Sequence, residues 1–370
     1  MTDDDRQRAA DTPAGGAEGD PAPPAAPALT PDAAAAATAG AEAGVANPAT
    51  DASASTAEAA GAEGAAIANP DGPAEPAVEA EAGKKAKKKR IATWFDDLKA
   101  IFWLLLAVLV FHSCVAKPFY IPSESMMPGL LKGDRLVVSK YPYGWSWVSP
   151  SFHIFPHWEG RIWGALPRRG DIVIVTPPDS SADYIKRVIG LPGDTIQLID
   201  GRVFLNGQPL RREARPPAMI PIDDNIPCDE RGTTTRRVQR DGRWFCQMRV
   251  FREYIPDGEE LRAYDTIDSV DDNPGVDDYP LYRVPANHVF LMGDNRDDSA
   301  DSRVATESLG LGGGVPWENI GGRAEFITFS LDGSSSYWNP ISWFTALRGG
   351  RAGTSLHPDG EPLNQGAPGR

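Results

Sequence analysis

IPSESMMPGLLKGDRLVVSK, Ile121–Lys140, decides how the rest of the chain is read. Ser123 and Ser125 stand two apart between Pro122 and Pro128. Gly133-Asp134 is a turn signal before the apolar run Leu136–Val138, which predicts a strand. The flanking prolines restrict the backbone and predict an extended, stiff loop. Most loop serines only hydrogen-bond the local backbone, so this stretch alone does not establish a nucleophile.

Working outward to the N-terminal side, residues 1–83 hold 2 Arg against 15 Asp and Glu, with no aromatic residue. Such a segment buries too little apolar surface to offset its ordering entropy, and is expected to be disordered. KKAKKKR at 84–90 then places six cations in seven residues. Ala100–Ala116 follows with 17 residues free of formal charge. At ~1.5 Å per residue that is about 25 Å, near the lower limit for a spanning helix. Trp94, Phe95 and Trp103 on one side and Phe119 and Tyr120 on the other are candidate interfacial anchors. A buried core helix is the competing reading, but the polybasic flank favours a span. Lys and Arg prefer the cytoplasmic side, which puts the N-terminus inside and everything after Pro118 outside. The span starts too far along the chain for a cleaved export signal, so an uncleaved anchor is expected.

On the C-terminal side, Tyr141–Arg169 carries eight aromatic residues, among them Trp145, Trp147, Phe152, Phe155 and Trp163. They suit an aromatic core or a surface dipping into lipid headgroups equally well. Gly170-Asp171 opens the strand Ile172–Val175, and Ile196–Leu210 alternates around the hairpin turns Asp200-Gly201 and Asn206-Gly207. Residues 211–284 are rich in Arg, Asp and Pro with short strand-like pieces such as Trp244–Tyr254, and read as an inserted β module. The core resumes at Pro285–Leu291 and ends with a strand near Ala324–Phe329. The segment after Gly349 has no pattern.

Three cysteines and five histidines bound the chemistry. Cys228 and Cys246 both fall on the outer side, where a disulfide or two free thiols are possible; a bridge would contribute roughly 3 kcal/mol. No HExxH or cysteine cluster has metal spacing, so no metal and no cofactor is expected. A serine nucleophile needs a base. His288 with an Asp from 294–301 is one route. Lysine is the other. After the span there are 24 Arg but only Lys117, Lys132, Lys140 and Lys186. Arg does not give up its proton, whereas a desolvated lysine does. Lys117 adjoins the membrane, Lys132 precedes a turn, Lys140 ends a strand, and Lys186 alone lies inside an apolar run.

IPSESMMPGL, GDRLVVSKY, RGDIVIV, DYIKRVIGLPGD and MGDNRDDSADSR, in this order after a membrane span, resemble type I signal peptidase (leader peptidase). The resemblance covers most of 118–210 and 285–330. It implies Ser125 as nucleophile, Lys186 as general base, and the Ser123 hydroxyl with the Ser125 amide as oxyanion hole. It also implies that Ser299, Asp301 and Arg303 support the lysine and its loop, and that Met126 packs beside the nucleophile. Glu124 and Gly129 depart from the commonest family pattern, where Gly and Thr are usual; Glu124 is expected to face solvent.

The expected fold is mostly β, an antiparallel catalytic sheet with an inserted β-rich module and one transmembrane helix. The expected divisions are a disordered acidic cytoplasmic tail 1–83, a juxtamembrane segment 84–97 and a transmembrane helix 98–117. Core 118–210, module 211–284, core 285–348 and a flexible tail 349–370 follow. The implied activity is removal of signal peptides after Ala-x-Ala from exported preproteins at the outer face of a bacterial plasma membrane. Its partners would be signal peptides, membrane lipids and a nearby export translocon, with no nucleic acid. Another anchored Ser-Lys processing peptidase, such as one maturing a conjugation pilin, and a non-catalytic tethered binding module are the alternatives.

Overall fold

The computed structural model describes residues 78–150, 156–178, 180, 182–228, 234–336 and 338–362, with side chains from residue 94 onward. The expected disorder of residues 1–77, the aromatic positions Phe152 and Phe155, His153, and residues 363–370 lie outside the described residues.

Helix α1, Val78–Cys114, begins inside the stretch read as acidic tail and stops short of Ala116. It stops because β1, Ala116–Tyr120, is already paired with β2, Asp134–Ser139. Trp94–Cys114, 21 residues, is long and apolar enough to cross a membrane by length and composition. None of that stretch is buried in the protein, which removes the core-helix reading.

The strands that follow are β3 (Ile172–Val175), β4 (Tyr184–Gly190), β5 (Thr195–Ile199), β6 (Arg202–Leu205) and β7 (Gln208–Pro209). Next come β8 (Arg211–Pro221), β9 (Arg236–Arg240), β10 (Arg243–Asp257), β11 (Glu260–Ile267) and β12 (Tyr279–Arg283). The last are β13 (His288–Met292), β14 (Val315–Pro316), β15 (Ile320–Ser330) and β16 (Asp359–Pro362). The catalytic sheet runs β1-β2-β15-β3-β4-β13-β14 and is antiparallel throughout. Mostly antiparallel β structure follows from the period-2 runs. In β3 every residue is buried, because Ile172 and Ile174 enter one apolar cluster and Val173 and Val175 the other. Asp200-Gly201 and Asn206-Gly207 both take positive φ and join β5, β6 and β7 as tight hairpins.

The module sheet runs β16-β11-β10-β8, with β9 on β10. Its boundary is earlier than the sequence reading placed it: β12, read as part of the module, pairs with β5 instead. Residues 349–362 of the segment read as a flexible tail are also built in. Leu356 is buried with Ile121, Met126 and Leu130, and β16 adds an edge strand to β11. Backbone pairing drives this, since β15 outlasts β3 and its free edge accepts the returning chain.

Cys228 and Cys246 are bonded sulfur to sulfur and buried against Met127, Leu131 and Ile226. Cys228→Ser is expected to lower unfolding stability by roughly 3 kcal/mol through the freed chain loop. Equal denaturation midpoints for oxidised and reduced protein would contradict this.

Candidate active site

The loop carrying Ser123 and Ser125 is turned, not extended. The Met127 N–H donates to Glu124 O at 3.0 Å and the Leu130 N–H to Met126 O at 2.9 Å. Its sequence contains the reason. Met126 and Leu130, four apart, enter the catalytic core, while Met127 and Leu131 enter the module core. Four-residue spacing puts side chains on one face of a helical turn, so burying both pairs curls the loop. Ser125 is 6% exposed, Ser123 is exposed, and their hydroxyl oxygens lie 3.3 Å apart. Glu124, expected in solvent, is half-buried.

Lys186 comes from the middle of β4, opposite Val173 of β3, on the same strand face as Tyr184 and Val188. It is 4% exposed, and Nζ donates to Ser125 Oγ at 3.0 Å across 61 residues of chain. Burial pushes its ammonium down to about 8, against the opposing charges of Asp301 and Asp298. Lys186 was singled out as the one lysine in an apolar run, yet Lys140 is equally buried. Desolvation, with Lys117 nearby, also lowers Lys140 to about 8, and its Nζ donates to the Ser149 carbonyl. Burial therefore does not separate the two lysines. Contact with Ser125 does.

MGDNRDDSADSR, beginning at the last residue of β13, closes over the back of the loop. The Asn295 N–H donates to Ser125 O at 3.0 Å, and its Nδ2 to Glu124 O at 3.2 Å. Gly293 is where the two loops meet. A Cβ there would lie 2.2 Å from Ser299 Oγ and 2.6 Å from Ser125 O, contacts that only glycine avoids. Asp301 accepts from the Gly293 N–H at 2.9 Å and from the Arg303 fork at 2.9 and 2.8 Å. Burial pushes Asp301 up, but Arg303 and the two backbone N–H groups outweigh it and hold it below the usual carboxylate range. Ser299 Oγ is buried without a hydrogen-bond partner, so its support of Lys186 is not made as a direct bond here.

Sequence reasoning passed over Asn295 and the pair Arg187–Asp294. Arg187 grips Asp294 with two bonds of 2.6 Å and lies over the Tyr264 ring at 4.3 Å, tying β4 to the loop and module. The signal was in the quoted boxes, next to Lys186 and next to Gly293. His288 is not brought to the serine; its Nδ1 lies 2.8 Å from the Ala286 carbonyl at the start of β13.

A serine hydroxyl within hydrogen-bond reach of a buried amine whose pKa is lowered to about 8 is equipped for acyl transfer. The family described as Signal peptidase, peptidase S26, matches residues 94–329. Signal peptidase I of Rickettsia canadensis (strain McKiel) is 36% identical over 244 residues, 64% of this chain and 81% of the relative. That of Rickettsia typhi (strain ATCC VR-144 / Wilmington) is 37% identical over 239 residues, 64% of this chain and 80% of the relative. A crystal structure of a signal peptidase I from Enterococcus faecalis V583 is 22% identical, covering 43% of this chain and 97% of that one, with a TM-score of 0.22. The protein is a serine endopeptidase, a hydrolase. In particular, the chain belongs to the signal peptidase family S26.

Proposed function

We propose that this enzyme removes signal peptides from exported preproteins with a Ser125–Lys186 dyad, while anchored in the membrane by Trp94–Cys114. The 3.0 Å contact between Lys186 Nζ and Ser125 Oγ, with the amine lowered to about 8, carries the reading. Neutral Lys186 takes the Ser125 hydroxyl proton as Oγ attacks the scissile carbonyl carbon. The tetrahedral oxyanion accepts hydrogen bonds from the Ser123 hydroxyl and the Ser125 N–H. Lys186 then returns the proton to the leaving amine, the mature protein departs, and Ser125 holds the signal peptide as an ester. Water attacks that ester with Lys186 again accepting the proton; the acyl–Oγ bond breaks, the signal peptide leaves with a C-terminal carboxyl group, and Lys186 returns the proton to Ser125 Oγ. Met126 packs beside the nucleophile, and Asp301, Arg303 and Ser299 brace the loop behind it. Shallow side-chain pockets along the apolar loop would select small residues, as in Ala-x-Ala.

Purified chain in detergent should cut a preprotein carrying an Ala-x-Ala site directly after the second alanine. A bulky residue at that position should block it. Cleavage only of a pilin precursor, or none at all, would contradict the assignment.

The cations at 84–90 favour a cytoplasmic N-terminus and a catalytic domain on the outer face. Trp145 Nε1 donates to Cys114 O at 2.8 Å, joining the helix end to the domain, and Trp163, 83% exposed, stands beside Trp145. An exposed indole there suits the headgroup region and contact with membrane lipids beside the export translocon. Protease added to spheroplasts should digest residues 118–370 and spare 1–83. The reverse pattern would overturn the topology.

A further inference from the structure

Beyond β15 the chain turns and comes back along that strand's free edge as a strap. The Arg348 N–H donates to Ser330 O at 2.9 Å, the Ile327 N–H to Thr354 O at 3.0 Å, and the Leu356 N–H to Glu325 O at 2.9 Å. The strap lies outside the matched residues 94–329. At its bend, Arg351 reaches the nucleophile loop. Nε donates to Asp134 Oδ1 at 2.9 Å, Nη2 reaches Asp134 Oδ2, and Nη2 also donates to Gly129 O at 2.9 Å.

Asp134 is where both ends of that loop close. Its carbonyl accepts from the Ile121 N–H at 2.9 Å, and its Oδ2 accepts from the Leu131 N–H at 2.8 Å. The neighbouring Gly133 N–H donates to Ile121 O at 2.9 Å. Everything from Pro122 to Leu130, both serines included, hangs between these anchors. The Asp134 side is 0% exposed, and Arg351 is the cation paired with its carboxylate. A buried carboxylate stripped of its cation carries an uncompensated charge, and drawing in water to solvate it disturbs the bonds it makes. Gly129, four residues after Ser125, would lose its tie at the same moment.

We propose that Arg351 is a positioning residue for the reaction: through Asp134 and Gly129 it holds the nucleophile loop in register with Lys186. This rests on Ser125 being the nucleophile. It makes the C-terminal strap part of the catalytic apparatus without touching substrate.

The test compares Arg351→Gln, Arg351→Lys and Arg168→Gln, the last removing an exposed ion pair with Asp257 and Glu260 far along the chain. All are purified in detergent and assayed on an Ala-x-Ala preprotein below their melting temperatures. Folded Arg351→Gln should lose about ten- to a hundredfold in kcat with KM nearly unchanged, as expected of a misplaced reacting group. The pH midpoint of kcat/KM should stay in place, because the burial that lowers Lys186 and the Asp301 and Asp298 charges that oppose it are untouched. Arg351→Lys should recover only part of the rate, a point charge being unable to form the fork. Arg168→Gln should keep the wild-type kcat. Wild-type kcat in folded Arg351→Gln, or an equal loss in Arg168→Gln, overturns the proposal. If only Arg351→Lys folds, a wild-type kcat in that variant overturns it as well. An active Ser125→Ala enzyme would remove the underlying dyad instead, and is read separately.

Discussion

Ser125→Ala is expected to lower kcat/KM on an Ala-x-Ala preprotein by about 10⁴- to 10⁶-fold while the protein stays folded. In the proposed mechanism the hydroxyl is the atom that bonds to the substrate carbonyl, and Ser123, 3.3 Å away, would have to leave its proposed place in the oxyanion hole to replace it. What survives is the stabilisation from the remaining hole and from binding, which is why the residual rate is not zero. Removing a methyl-sized polar group from a turn held by backbone bonds leaves those bonds intact. Single-turnover cleavage in detergent measures the loss, and melting temperature checks the fold. Turnover within tenfold of wild type would take Ser125 out of the mechanism.

Lys186→Arg is expected to be inactive for a different reason. The substitution keeps the positive charge beside Asp301 but installs a guanidinium that does not deprotonate in a protein, so no base faces Ser125. The longer, planar head must also fit where a 4% exposed ammonium now sits, so the variant is expected to be less stable as well. His288→Ala supplies the contrast. Its ring is engaged with the Ala286 carbonyl, and it should retain most of the activity. An active Lys186→Arg enzyme alongside a dead His288→Ala enzyme would revive a Ser/His/Asp triad.

Much of this arrangement was legible in the sequence, and the exceptions have physical reasons. IVIV at 172–175 bounded by Gly-Asp and Pro-Pro has few ways to fold except as a central strand, and β3 is one. Asp-Gly and Asn-Gly carry their own turn geometry. The bend at Ser125 follows from the four-residue spacing of Met126/Leu130 and Met127/Leu131, whose burial on two sides overrides the extended preference of the flanking prolines. The strap was missed because backbone pairing with β15, the Arg351 fork on Asp134 and the buried Leu356 hold it, and none of these leaves a periodic pattern. The two low-titrating lysines show the limit most plainly. An apolar run predicts burial, and Lys140 reached the same burial at a strand end. Which lysine meets Ser125 depends on β4 lying beside the nucleophile loop, a long-range fact.

The pH dependence of kcat/KM for the wild-type enzyme tests the dyad most directly. The base works only as the free amine. Lowering the folded-state lysine from 10.5 to about 8 therefore moves the onset of activity down to that pH. The account predicts that kcat/KM rises with pH through a midpoint near 8 and then levels off, with the same midpoint in His288→Ala. A rise centred near ~6.5 that disappears in His288→Ala is what an imidazole base would give, and it would contradict the account.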